Sequence, residues 1–171
     1  MSFEKLGLIE PILKSIKQKG YLTPTSIQEQ SIPVILQGKD VFGMAQTGTG
    51  KTAAFAIPIL QILHQQKRDA SQKRLIKALV LVPTRELAAQ VDQSFTDYGK
   101  FTGLQHLVVY GGVSQLPQAN ALRKGIDILI ATPGRLLDLV NQHLINLLRV
   151  EMLLLDEADH MLDMGFIHDV K

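Results

Sequence analysis

The sequence of 171 residues contains no cysteine and no tryptophan. Without cysteine there are no disulfides and no thiolate metal sites, a composition that suits a reducing compartment and sets the expectation of a cytoplasmic protein. Aromatic residues are scarce, with six phenylalanines and three tyrosines, and none interleaves with arginine or lysine. Capture of bases on an aromatic platform is therefore not expected. No apolar run reaches the ~18 residues that a membrane span requires, and the opening Met-Ser-Phe-Glu-Lys lacks the pattern of a secretory leader. A large charge of one sign is missing too: the formal net charge is +2. That permits a nucleic acid as partner but does not argue for one, so particular residues must carry the claim.

What is present is enough apolar material, 46% of the residues, for a single sizeable core in one domain. Leu6, Leu8, Ile9, Ile12, Leu13 and Ile16 recur at helical spacing, with Lys17 and Lys19 near the end and Gly20 just past it. Thr23-Pro24 predicts an N-cap and first turn for a short helix through Gln28 that Pro33 interrupts. Apolar runs at Val41 to Ala45, Ala78 to Val82, His106 to Tyr110, Asp127 to Ala131 and Met152 to Leu155 predict strands. They are continuous rather than alternating, as in strands covered on both faces. Helical segments near Thr52 to Leu63, Arg85 to Tyr98, Val113 to Arg123 and Gly134 to Val140 separate them. This βα alternation predicts an α/β fold with a doubly wound, mostly parallel sheet. The polar stretch from Gln65 to Lys77 reads as a mobile surface loop whose positive charges are solvated.

Two stretches carry chemistry. Ala45-Gln46-Thr47-Gly48-Thr49-Gly50-Lys51-Thr52 lies between a predicted strand and a predicted helix, the setting of a phosphate-binding loop. Gly48 and Gly50 let the backbone turn tightly and aim N–H groups inward; Lys51 offers a point charge to terminal phosphates and Thr52 a hydroxyl ligand for Mg²⁺. The usual pattern opens with glycine where this chain has Ala45. Far downstream, Met152 to Leu155 delivers Asp156-Glu157-Ala158-Asp159 to the end of a strand. A carboxylate there suits a magnesium–nucleotide site, so Asp156 is the candidate for the ion and Glu157 for orienting and deprotonating a water. An acid at a helix start, favoured by the helix dipole, is the plain alternative for Glu157, and the loop upstream favours the catalytic reading. His160 and His168 lie nearby but form no ligand pair at helical spacing, and read as surface or packing residues.

These residues resemble the DEAD-box family of ATP-dependent RNA helicases, in which alanine at the first loop position is usual. The resemblance covers nearly the whole chain. Gly20 to Gln28, including Tyr21, Thr23 and Gln28, matches the family's adenine-recognition motif, and Phe3 stands upstream at the family's spacing. Pro83-Thr84-Arg85-Glu86-Leu87-Ala88, Gly111-Gly112 and Thr132-Pro133-Gly134-Arg135 match its RNA-contacting motifs in order. The resemblance implies ATP and Mg²⁺ as cofactors and RNA, held through its backbone, as partner. It further implies that residues 1–171 are the first of two RecA-like domains, with 1–38 recognising adenine. A second domain would complete the ATP site and the RNA groove.

Each match also has a physical reading of its own. A glutamine amide offers adenine a complementary donor and acceptor, as in base readout, and Phe3 a stacking face; a solvated Gln28 and a core-packed Phe3 are the plain alternatives. Thr84 and Thr132 read as N-caps or as members of a phosphate site. Both precede helices at strand C-termini, where doubly wound folds bind ligands, and Arg85 and Arg135 there suit the phosphates of a single strand. Gly111 and Gly112 would admit that backbone closely. The resemblance also implies that the family's next strand, with its Ser-Ala-Thr motif, is missing from the sheet, so an incomplete sheet and weak activity in isolation are expected. Two other functions remain open: a P-loop ATPase stimulated by DNA, and a non-catalytic, nucleotide-gated RNA scaffold.

Overall fold

The computed structural model describes residues 2–46, 48–66 and 71–166. The chain divides into two compact units, Met1–Lys67 with Gln93–Leu104, and Arg68–Asp92 with Gln105–Lys171.

The first unit opens with a 3-10 turn, Phe3–Leu6, closed by Gly7 in the left-handed region at φ 74°. Helix α1 follows at Glu10–Gln18, with Pro11 in its first turn and Ile12 and Ile16 buried. The single long N-terminal helix read from periodicity is thus two pieces, because Gly7 turns the chain and Ile9 is extended. Helix α2 spans Ser26–Leu36 and contains Pro33. Its N-cap is Thr25, two residues later than expected, and it continues past the proline. An interior proline costs ~3 kcal/mol; burial of Ser31 and Ile32 on a helix packed against α3 offsets it. Helix α3, Lys51–Gln65, is buried along most of its length. Val41 to Ala45 does not form the expected strand: among the described residues it has no ladder partner, and Phe42 is 92% exposed. A strand is made by its neighbours as much as by its residues.

The second unit holds a four-stranded, all-parallel sheet in the order β2-β3-β1-β4. Its strands are β1 Ala78–Leu81, β2 His106–Val109, β3 Ile128–Ala131 and β4 Met152–Leu155. Helices α5 Leu116–Arg123, α6 Pro133–Asn141 and the short α7 Ala158–Asp163 alternate with them, and α4, Arg85–Gly99, leaves the end of β1 and runs on into residues of the first unit. The α/β class and parallel sheet are as expected, but coverage on both faces holds only for the central strands. β1 and β3 are buried at every residue, whereas Leu153 and Leu155 of the edge strand β4 are exposed. The described part of the stretch expected to be a mobile loop is anchored: Arg74 pairs with Asp127, and Lys77 with Glu151 at 3.0 Å. Residues 67–70 of that stretch, and His168, lie outside the described residues. Among the described residues no helix is long and apolar enough to cross a membrane.

Candidate nucleotide and nucleic-acid sites

The glycine loop of the first unit is shaped by backbone requirements. Gly48 has φ 81° and Gly50 φ 85°, left-handed values that disfavour any side chain. Thr49 Oγ1 donates to the Gln46 carbonyl at 2.7 Å, closing the turn. Gly50 is the N-cap of α3, so Lys51 and Thr52 occupy its first positions, where N–H groups have no intrahelical acceptor. Ala45 and Gln46 precede the turn on an exposed stretch; Thr47 lies outside the described residues.

Gln28 reaches this loop. Its Nε2 donates to the Gly50 carbonyl at 3.2 Å, while its Oε1 accepts the Thr25 N–H at 3.0 Å, half of a capping box at the start of α2. The side chain is thus neither solvated nor idle. A Cβ on Gly50 would stand 2.4 Å from Gln28 Nε2, so a side chain there would displace the Gln28 amide as well as meet an unfavourable φ. One amide hydrogen and one lone pair of Gln28 remain for a ligand. Tyr21 and Thr23 are exposed beside this motif. Phe3, by contrast, is 6% exposed, so a base stacks on it only if the 3-10 turn moves.

In the second unit, Asp156 and Glu157 follow β4 directly. The Asp156 N–H donates to the Leu81 carbonyl at 3.0 Å, fixing the end of β4 to β1, and Asp156 Oδ1 accepts the Glu157 N–H at 3.1 Å. Glu157 is held at φ 52°, ψ 47°, a left-handed conformation in a residue other than glycine. Such strain costs about 1–3 kcal/mol and persists where the surroundings impose it. Although Glu157 is the N-cap of α7, its carboxylate makes no capping bond. Glu157 thus stands at the start of α7, as its plain reading expects, and any favourable effect there comes from the helix dipole rather than from a cap bond. His160 Nδ1 lies 3.5 Å from Glu157 Oε2, so this histidine faces a proposed catalytic group rather than open solvent alone.

The second unit also contains an open cleft of about 430 Å³ lined by Arg85, Tyr110, Gly111, Thr132, Gly134 and Arg135. Pro83 belongs to the same wall, and Asp138 and Phe166 complete it. The three matched segments thus converge at the carboxyl ends of β1, β2 and β3, where parallel sheets place ligands. Thr84 is a true N-cap, its Oγ1 accepting the Leu87 N–H at 3.2 Å. Thr132 is the N-cap residue of α6 by position, but its side chain makes no cap bond. Gly112 needs its left-handed φ of 76°, whereas Gly111 is unstrained and a Cβ there would meet nothing within 4 Å.

The two arginines behave differently. Arg85 is exposed, with its guanidinium carbon 5.4 Å from the centroid of the Tyr110 ring. Arg135 is 9% exposed; its Nη1 donates to Gln118 Oε1 at 2.8 Å and its Nη2 to the Val113 carbonyl at 2.9 Å. Sequence reasoning missed Tyr110, Gln118, Asp138 and Phe166. Tyr110 stands at a strand end before two glycines, and Gln118 shares the buried face of α5 with Leu122, a polar residue at an apolar position. Those were the available signals.

Comparison with known proteins agrees with this geometry. Residues 25–171 match the DEAD/DEAH box helicase family. The ATP-dependent RNA helicase CshA of Limosilactobacillus reuteri is 46% identical over 171 residues, covering 100% of this chain and 33% of that protein. The DEAD-box ATP-dependent RNA helicase RhpA of Helicobacter pylori is 46% identical over 170 residues, again 33% of its length. Among solved structures, a DEAD box protein from the hyperthermophile Methanococcus jannaschii superposes with a TM-score of 0.89 at 42% identity, covering 99% of this chain and 45% of that one. The chain spans about a third of the length of the curated relatives it matches. Matched over most of its length and in the order of its site segments, the chain belongs to the DEAD/DEAH box helicase family.

Proposed function

We propose that this chain is the part of an ATP-dependent RNA helicase that binds the nucleotide and one face of a single RNA strand. The convergence of Arg85, the Gly111-Gly112 turn and the start of α6 on one cleft at the strand ends carries the proposal. The first N–H groups of α6 have no intrahelical acceptor, Pro133 has none to lose, and Gly134 keeps the approach open. Together with the Arg85 charge they suit phosphate oxygens and ignore base identity. Such a site takes any sequence.

In the first unit, Lys51, Thr52 and the turn at Gly48 to Gly50 are assigned the phosphates, and Gln28 the adenine edge, with Tyr21 and Thr23 flanking it. Thr52 in the first unit and Asp156 in the second each offer an oxygen donor of the kind Mg²⁺ accepts, and such an ion would neutralise charge on the phosphates. Glu157 is assigned the attacking water: it orients the water and takes its proton. Its strained backbone conformation supports that role. Productive closure on RNA is assigned to a second RecA-like domain in the full-length protein.

RNA-stimulated ATP hydrolysis by the full-length protein tests this reading. Glu157→Gln keeps the size and hydrogen-bonding reach of the side chain but not its basicity. Turnover is expected to fall about 10²–10⁴-fold while nucleotide binding holds. Full turnover in that variant contradicts the catalytic assignment and favours a nucleotide-gated scaffold.

A further inference from the structure

We infer that Gln118 is a positioning residue for RNA: with the buried Arg135 it braces both flanks of the Gly111-Gly112 turn and so sets the surface that meets the strand. The inference rests on the RNA reading of the cleft given above. Arg135 donates to the Val113 carbonyl on one side of the glycines. On the other side, Gln118 Nε2 donates to the Tyr110 carbonyl at 3.2 Å. The Arg135–Gln118 bond of 2.8 Å joins the two contacts into one chain of hydrogen bonds.

The chemistry fixes the order of that chain. A guanidinium only donates, and a backbone carbonyl only accepts, so the group between them must accept on one side and donate on the other. A neutral amide does this; a carboxylate or a thioether does not. Both side chains are 9% exposed, so each broken bond leaves a buried polar group without its partner. Among the described residues Arg135 Nε has no hydrogen-bond partner, and an Asp138 carboxylate oxygen lies 3.9 Å away. Two of the five guanidinium N–H donors are held by the protein wall and the residue is 9% exposed, so Arg135 acts on RNA mainly through the turn and Arg85 supplies the exposed charge. The Tyr110 ring beneath Arg85 belongs to the same braced segment, so the brace also locates that charge.

The test uses the full-length protein, with a fluorescein-labelled oligouridylate and a non-hydrolysable ATP analogue. Gln118→Glu keeps an acceptor for Arg135 but turns an oxygen on the Tyr110 carbonyl; Gln118→Met keeps length and loses both bonds. Each is expected to weaken RNA binding about tenfold. In steady-state assays KM for RNA should rise while kcat at saturating RNA and KM for ATP stay near the parent values. General misfolding would instead lower kcat. If one variant does not fold, the other decides. RNA affinity within twofold of the parent in a folded variant overturns the inference. Arg85→Ala separates the layers: if it loses RNA affinity while the Gln118 variants do not, the brace alone is wrong. If Arg85→Ala also binds normally, the RNA reading of the cleft falls and the brace with it.

Discussion

The two glycine turns assigned to phosphate chemistry are held in opposite ways. The turn at Gly48 to Gly50 is tied from outside by the Gln28 amide on the Gly50 carbonyl, and the stretch before it has no ladder partner. The turn at Gly111-Gly112 leaves the end of a hydrogen-bonded strand, and buried side chains grip the carbonyls on both of its flanks. The first loop therefore depends on one side-chain contact from a neighbouring helix. The second is preset.

Substitutions at the glycines sharpen this contrast. Gly50→Ala should have the largest effect, since it meets both a φ of 85° and a Cβ position 2.4 Å from Gln28 Nε2. The left-handed conformation alone costs about 1–2 kcal/mol. Loss of Mg²⁺–ADP binding by more than tenfold, with a melting point several degrees lower, is the expected result of calorimetry on that variant. Gln28→Ala comes next: titration with ADP and GDP should show the preference for adenine abolished, with a smaller fall in stability from the lost capping box. Gly111→Ala should leave stability unchanged, because its φ is ordinary and its Cβ meets nothing, yet weaken RNA binding several-fold. An equal loss of stability at Gly111 and Gly50 would erase the distinction between the loops.

The smallest effect concerns pH. Burial holds the His106 imidazole below its ordinary value of 6.5, against the pull of Asp92, whose oxygen is 3.3 Å away. In the unfolded chain His106 takes up its proton near 6.5, and in the folded chain only at lower pH. Between the two, the unfolded state holds more protons, so stability falls as pH drops through that window. The Asp92 carboxyl, raised by burial, acts in the opposite sense nearer the carboxylate range. Melting scans from about pH 7 to about pH 5.5 should show a slight decline that His106→Gln removes.

Much of this was legible in the sequence because period and punctuation are local. The strands of the second unit and helices α3, α4 and α6 fall within a few residues of their expected spans. What failed depended on partners. Val41 to Ala45 has the composition of β1 or β3 but no neighbouring strand in the sheet, and Pro33 sits inside a helix whose packing offsets its cost. The site segments were found by motif, but their internal bonds were not: Arg135 reads as a phosphate ligand in sequence, and only the positions of Gln118 and Val113 show two of its guanidinium donors already held.

The most direct test of the RNA cleft is Gly134→Ala in the full-length protein, read by melting and by RNA affinity together. Gly134 lies in the first turn of α6, unstrained, with open space where a Cβ would stand. Alanine there should stabilise the helix by up to about 1 kcal/mol, so the melting point should rise. The same methyl group would stand where the RNA backbone comes closest, so affinity for oligouridylate should fall several-fold with ATP affinity unchanged. A more stable protein that binds RNA as tightly as before would contradict the placement of RNA in this cleft.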